Sequence, residues 1–201
     1  MPTPPPVRYG PLARRPPEGA IDLGALVPGQ GELELEIGFG RGAFLLGRAR
    51  VAPASRIVGL EIKAKLAHQV EERRSRERLE NAVALHGDAR EVLARSGPDG
   101  ALRRVFVHFP DPWWKKRHHK RQVVDPGFLD QIARLLAAQG ELFVQSDVED
   151  RAAAVRDLVG AHPAFELVPC DHNPFGARSN REVRADEDGL PVHRVLCRRR
   201  A

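Results

Sequence analysis

The chain has 201 residues, which is enough for one well-buried core and short for two domains. Hydrophobic residues make up 42% of the sequence, as in globular proteins, and no stretch approaches the roughly 20 apolar residues that span a bilayer. The formal net charge of +5 favours a polyanionic partner, although mildly basic proteins that bind no polyanion are common.

The N-terminal residues differ in composition from the rest of the chain. The first seventeen residues contain seven prolines and no apolar run, so they do not resemble a signal peptide. We predict a proline-rich flexible arm over residues 1–30 and a single domain over residues 31–201. Cys170 and Cys197 are too few for a disulfide framework and lack metal-ligand spacing. We therefore expect buried thiols in the reducing cytoplasm and no metal site.

Strand-like runs alternate with helical patterns from residue 31 onward. Such alternation predicts a mainly parallel, seven-stranded α/β sheet with helices on both faces, because parallel strands need crossover connections. The last two strands are joined by a loop, Asp171–Val192, and are expected to pair antiparallel. The predicted strands are Leu33–Ile37, Arg56–Ile62, Ala82–Leu85, Arg103–Phe109, Leu142–Gln145, Phe165–Pro169 and His193–Cys197. The predicted helices are Gly42–Arg50, Ala64–Leu79, Ala89–Ser96, Gly127–Ala138 and Val148–Gly160.

Ligands of such sheets bind beyond the carboxyl ends of the strands, and a glycine-rich turn follows the first strand. Gly38 and Gly40 permit a tight turn and a close approach of the backbone to a nucleoside. Glu61 ends the second strand 23 residues after Gly38, where an acid accepts hydrogen bonds from ribose hydroxyls. These residues suit NAD as well as S-adenosylmethionine, so they leave a dinucleotide oxidoreductase open.

Glu36 separates these two cofactors better than the glycines do. A carboxylate beside the turn suits a cofactor with a sulfonium and an amino group, and it would repel a pyrophosphate. We therefore favour S-adenosylmethionine. Asp88, after the third strand, is expected either to accept a hydrogen bond from the adenine amino group or to cap the next helix.

The fourth strand ends at a proline-flanked acid. Asp111 stands between Pro110 and Pro112, which restrict the backbone dihedrals of the loop. Two tryptophans follow, and residues 115–121 are all lysine, arginine or histidine. A rigid acid, an aromatic platform and a cationic stripe within eleven residues suit a flipped base on a phosphate backbone.

The proline-flanked acid with its basic tail resembles the tRNA (guanine-N7)-methyltransferase family. The resemblance runs from Glu34 to near the C-terminus. It implies a Rossmann-like class I methyltransferase fold, S-adenosylmethionine as the cofactor, and methyl transfer to N7 of a guanosine in the variable loop of tRNA. No membrane partner is implied, and monomer and homodimer both stay open. The segments that carry it include Glu36-Ile37-Gly38-Phe39-Gly40, Leu60-Glu61, Gly87-Asp88-Ala89, Ser146-Asp147 and the late loop around Arg178–Arg184.

The resemblance also assigns roles to single residues. Glu36, Glu61 and Asp88 would bind the cofactor, Asp111 would be the catalytic or base-orienting acid, and Lys115 and Asp147 would contact the substrate. The substrate-binding set is completed by Ser179, Asn180, Arg181 and Glu182. The family has Thr-Lys-aromatic-Glu at these last four positions, so Asn180 and Arg181 depart from its pattern. Arg181 offers a cation and a stacking plane in their place.

The expected chemistry needs alignment more than proton transfer. N7 of guanine carries an in-plane lone pair and no proton, so orienting it toward the methyl group is the main task. Asp111 is expected to accept hydrogen bonds from guanine N1–H and the exocyclic amine, with general-base action as the alternative. Two other functions stay open: methylation of an exocyclic base nitrogen, and RNA binding without catalysis.

Overall fold

The computed structural model describes residues 8–110 and 123–201. Its strands are β1 (Ile21–Asp22), β2 (Leu33–Ile37), β3 (Arg56–Glu61), β4 (Ala82–His86), β5 (Ser96–Gly97), β6 (Leu102–His108), β7 (Leu136–Ser146), β8 (Phe165–Val168) and β9 (His193–Arg199). Its α-helices are α1 (Ala43–Val51), α2 (Ala64–Arg76), α3 (Ala89–Arg95), α4 (Pro126–Leu135), α5 (Glu149–Ala161) and α6 (Asn180–Glu187).

Within the described residues, seven strands form the main sheet in the order β4-β3-β2-β6-β7-β9-β8. The strands from β4 to β7 in this order are parallel, and β9 runs antiparallel between β7 and β8. The prediction of a mainly parallel, seven-stranded α/β sheet that ends in an antiparallel pair is therefore confirmed. The order reverses at β2 and β6, which is where such sheets open a ligand crevice.

Helices cover both faces of this sheet. Side chains of a strand point alternately to the two faces. One face packs against α3, α4 and α5 in the largest core cluster, which contains Leu35 and Val105. The other face packs against α1 and α2 at β3 and β4, and against an aromatic cluster of Phe44, Phe106 and Phe143 nearer the centre. The central strands are thus buried on both sides.

The C-terminal region departs from the prediction in two places. Helix α4 ends at Leu135, and an irregular start of β7 occupies the residues predicted to complete the helix. The predicted loop Asp171–Val192 contains α6, so its prediction as irregular structure was wrong there. The Ser179 side chain caps α6 by accepting a hydrogen bond from the Glu182 N–H at 3.1 Å. A serine followed three residues later by glutamate is a helix-start signal, so the sequence held the information.

The predicted boundary at residue 30 also needs correction. Ile21, Leu23 and Val27 are buried in the main core, and β1 pairs with β5. Nearer the N-terminus, the Arg14 carbonyl accepts a hydrogen bond from the His86 N–H at 2.7 Å. The segment from residue 8 to residue 30 therefore packs on the domain, because its few apolar side chains find buried sites. No helix of the described segments is long and apolar enough to cross a membrane.

Candidate active site

A cleft of about 1180 Å³ opens at the carboxyl ends of the parallel strands. Glu36 lines it from β2, Glu61 from β3, His108 from β6, and Asp88 and Asp147 from the turns after β4 and β7. Parallel strands all end at this edge, so side chains far apart in sequence meet here. Most of the predicted site residues of the described chain therefore lie around one cleft.

The glycine-rich turn leaves backbone open to the cleft. Gly38 and Gly40 have φ angles of 73° and 56°, and a Cβ at either position would meet no atom within 4 Å. Gly42 also has a positive φ, but a Cβ there would lie 2.6 Å from Val70 Cγ1 on α2. The first two glycines thus serve the turn and the approach of a ligand, whereas Gly42 serves the contact between two helices.

Glu61 holds the glycine-rich turn in place. Its Oε2 accepts a hydrogen bond from the Gly40 N–H at 2.9 Å, and its Oε1 accepts one from the Lys63 N–H at 2.9 Å. The carboxylate is buried at the cleft. Each oxygen retains a lone pair, so the predicted contact with ribose hydroxyls is compatible with this structural role.

Glu36 and His108 form a buried pair on the floor of the cleft. Glu36 Oε1 lies 3.1 Å from His108 Nδ1, and Glu36 is 1% exposed. Glu36 Oε2 and His108 Nε2 have no hydrogen-bond partner among the described residues. Burial raises the pKa of the Glu36 carboxyl above its usual range, and the charge of Glu61 adds to that rise, while His108 and the Leu45 backbone oppose it. An unsatisfied carboxylate oxygen of this kind is costly unless a ligand completes its hydrogen bonds.

Asp88 caps the helix that follows β4 and also lines the cleft. It caps α3 by accepting a hydrogen bond from the Arg90 N–H at 2.9 Å, and its exposed side chain lines the cleft. The cap is therefore confirmed, and the contact with adenine stays a prediction.

Four of the residues predicted to bind the substrate also line the cleft. Ser179, Asn180 and Arg181 line the cleft at the start of α6, and Asp147 lines it at the end of β7. The Arg181 guanidinium forms an ion pair with Asp147, whose Oδ2 also accepts from Arg181 Nε at 2.8 Å. The arginine that departs from the family pattern is thus held against Asp147 in the cleft lining.

Glu182 does not join them. It lies outside the residues that line the cleft, and its carboxylate is buried. It accepts hydrogen bonds from Gln145 Nε2 at 2.8 Å, Asn173 Nδ2 at 2.9 Å and Arg194 at 3.3 Å. The structure therefore gives Glu182 a role in holding α6 against β7 and β9. Sequence reasoning missed its three partners, because nothing in their spacing indicates contact.

Asp111 and Lys115 lie outside the described residues, as does the basic run. The described chain stops at Pro110 and resumes at Val123, and both of these residues line the cleft. Phe109 has a φ of 48°, unusual for a side chain of this size, and its N–H donates to the Gln145 carbonyl at 2.8 Å. Strand β6 therefore ends in a sharp turn at the cleft edge.

The cleft fits S-adenosylmethionine on two observations. The unpartnered Oε2 of Glu36 supplies a buried acceptor for an amino group, and the open glycine backbone leaves room for a nucleoside beside Glu61. The glycine backbone would also accept a pyrophosphate, but the Glu36 carboxylate beside it would repel one. No group of three or more metal-ligating side chains is present in the described parts of the chain.

Comparison with known proteins agrees with this reading of the fold. The chain matches the family model described as "Putative methyltransferase" over residues 30–193. Solved structures of similar fold include the aminoglycoside resistance methyltransferase NpmB1, with 22% identity, a TM-score of 0.57 and coverage of 84% of this chain and 87% of that one. A SAM-dependent O-methyltransferase from Thermotoga maritima is 15% identical, with a TM-score of 0.58 and coverage of 86% and 61%. At these identities the likeness concerns the fold.

Similarity in sequence is more specific. A tRNA (guanine-N(7)-)-methyltransferase of Trichormus variabilis is 40% identical over 174 residues, which cover 83% of this chain and 81% of the relative. One from Nitrosococcus oceani is 37% identical over 175 residues, covering 87% and 74%. The chain therefore belongs to the tRNA (guanine-N7)-methyltransferase family.

Proposed function

We propose that this protein transfers a methyl group from S-adenosylmethionine to N7 of a guanosine in tRNA, and that the guanosine lies in the variable loop. One observation supports the proposal most strongly. In this chain of the family, Glu36 Oε2 is buried beside the glycine-rich turn of the cleft and has no hydrogen-bond partner among the described residues. Such an oxygen suits the amino group of a methionine moiety.

Three acids divide the cofactor between them in this proposal. Glu36 accepts from the amino group, Glu61 accepts from the ribose hydroxyls, and Asp88 accepts from the adenine amino group. All three line the same cleft at the ends of adjacent strands. When bound, the cofactor supplies the methyl group on a positively charged sulfonium.

The guanine would lie in the same cleft as the cofactor. Asp111 accepts from guanine N1–H and the exocyclic amine, which fixes the base edge and stabilises the positive charge that develops on the ring. Adenine lacks these paired donors, so it would leave the acid unsatisfied. Alignment of N7 with the methyl carbon is the main contribution of the enzyme, and no base is needed at N7.

Arg181 at the start of α6 and the basic run would hold the rest of the tRNA. Arg181, fixed by Asp147, presents a planar cation that can stack on a base. Lys115 and the other basic residues up to position 121 contact phosphates.

The proposal is tested by transfer of labelled methyl groups into unmodified bulk tRNA, followed by nucleoside analysis and mapping of the modified position. We expect N7-methylguanosine in the variable loop. Asp111→Asn should lower kcat at least tenfold while S-adenosylhomocysteine binds within about twofold of wild type, because Asp111 touches the base and not the cofactor. Asp157→Asn, an exposed acid on α5, is the matched control and should keep full activity.

Two results would overturn the proposal. Label on another base or another atom of guanine would refute the assigned chemistry. Equal loss of kcat and of cofactor affinity in Asp111→Asn would refute the role given to that residue.

A further inference from the structure

His108 ends β6 and contacts Glu36 on the floor of the cleft. Its imidazole is 3% exposed, and Nδ1 lies 3.1 Å from Glu36 Oε1. The motifs of the sequence do not assign it a function. Both residues line the cleft, and each keeps one buried polar atom without a partner in the described chain.

The His108 ring is fixed by aromatic packing. Its centroid lies 4.2 Å from that of Phe44 on α1, 6.0 Å from that of Phe106, and 6.0 Å from that of Phe143 on β7. A ring enclosed in this way cannot turn away from Glu36 without disturbing the cluster. An ionised carboxylate only accepts hydrogen bonds, so opposite a charged Glu36 the Nδ1 atom carries the hydrogen that Oε1 accepts, and Oε2 is left as the oxygen that meets a ligand.

We propose that His108 is a positioning residue, which orients Glu36 so that Oε2 accepts from the amino group of S-adenosylmethionine. Together with Glu36, it also sets the pH below which affinity for the cofactor declines. This inference rests on the proposed function, since it requires that the cofactor binds in this cleft. With a neutral imidazole the pair carries one negative charge, which complements an ammonium group. When the pair takes up a proton its net charge is zero, and its attraction for the ammonium falls.

The groups around the pair determine how easily it takes up that proton. Burial disfavours the charge of Glu36, and Glu61 on β3 repels the carboxylate, so the pKa of Glu36 is raised. The Leu45 backbone on α1 opposes this effect. Glu182 on α6 binds Gln145, the residue that lies opposite His108 in β7. The interaction with His108 also opposes the rise, so the pKa of Glu36 reflects burial and Glu61 acting against His108 and Leu45.

The test measures binding of S-adenosylhomocysteine by calorimetry between pH 5.5 and 8.5, without turnover. His108→Asn places an amide donor near the position of Nδ1 but cannot titrate, and His108→Phe removes the donor and suits the aromatic cluster. At pH 8 we expect His108→Asn to bind within about threefold of wild type. His108→Phe should bind about tenfold to a hundredfold more weakly, because Glu36 then lacks its orienting hydrogen bond.

The pH profile separates positioning from a merely structural role. As the pH falls, wild-type affinity should decline, and binding should release close to one proton, measured in two buffers of different ionisation enthalpy. In His108→Asn the decline should begin at a lower pH than in wild type, because only Glu36 of the pair remains to be protonated. His162→Asn is the matched control: His162 contacts Asp130 at 3.2 Å outside the cleft, so its profile should follow wild type.

Each outcome decides one claim. Wild-type affinity in His108→Phe, or one pH profile shared by wild type and His108→Asn, would overturn the positioning role. If the wild type itself fails to bind S-adenosylhomocysteine at pH 8, the proposed function fails instead. Far-UV circular dichroism confirms that each variant is folded, so weakened binding is not mistaken for unfolding.

Discussion

Replacing Gly42 with alanine should destabilise the protein through two separable effects. Gly42 has a φ of 74°, and an alanine in this left-handed conformation costs about 1–2 kcal/mol. In addition, the new Cβ would lie 2.6 Å from Val70 Cγ1 and 2.8 Å from Cγ2. Val70 is buried on α2, and a β-branched side chain in a helix has one strongly preferred rotamer, so it cannot turn aside. Overpacking of this kind costs about 1–3 kcal/mol.

A double-mutant cycle resolves the two effects. Urea unfolding followed by far-UV circular dichroism gives the free energy of unfolding of wild type, Gly42→Ala, Val70→Ala and the double variant. In the Val70→Ala background the contact is gone, so Gly42→Ala should cost only the 1–2 kcal/mol or so of the backbone conformation. The difference between backgrounds, about 1–3 kcal/mol, measures the contact. An equal cost in both backgrounds would refute the argument, because Val70 would then not limit the position.

Three further changes test two buried acids and the arginine that pairs with Asp147. Glu36→Gln should raise the melting temperature of the cofactor-free protein at pH 8 and abolish its stabilisation by S-adenosylhomocysteine. Because the pKa of Glu36 is raised, the gain in melting temperature should shrink in acid, as the wild-type carboxyl takes up its proton. A gain in melting temperature that is independent of pH would contradict this. Glu182→Ala should lower the free energy of unfolding in urea by about 3–5 kcal/mol, because it removes the buried carboxylate that pairs with Arg194. A loss below about 1 kcal/mol would contradict that role. Arg181→Ala should lower the free energy of unfolding by less than about 1 kcal/mol, because its pair with Asp147 is partly exposed. It should nevertheless lower kcat/KM for tRNA at least tenfold. Unchanged methylation would exclude Arg181 from the substrate site.

The sheet was predictable because local patterns determine most of it. Each strand of the main sheet follows from an apolar run, and alternation with helices requires the parallel order. The prediction failed where tertiary contacts override local patterns. Leu136 belongs to β7 because it pairs with Leu102 across the sheet, although it continues the apolar pattern of α4. Ile21 and Leu23 are buried because the core has room for them, which composition does not reveal.

The site was predictable at the level of strand ends and not at the level of partners. Glu36 and Glu61 lie at the carboxyl ends of their strands and Asp88 follows one, so the rule for parallel sheets placed them at the cleft. Which donors meet each acid depends on residues that are distant in the chain. Glu182 lies three residues after Ser179, but its carboxylate points to Gln145 and Arg194, away from the cleft lining. His108 was missed because a histidine within an apolar strand is most often a core residue.

Among the buried acids of the described chain, Glu36 is the one with an oxygen that lacks a hydrogen-bond partner. Glu34, two residues earlier on the same face of β2, receives Arg48 at 2.7 and 2.9 Å and Arg104 at 3.0 Å. Glu61 receives two backbone N–H groups, and Glu182 receives three side chains.

Glu36 is as buried as these acids, yet one of its oxygens has no partner in the described chain. A fold that satisfies three buried glutamates has the means to satisfy a fourth. The unsatisfied oxygen is therefore a cost that the cofactor-free protein carries and that an amino group in the cleft would remove.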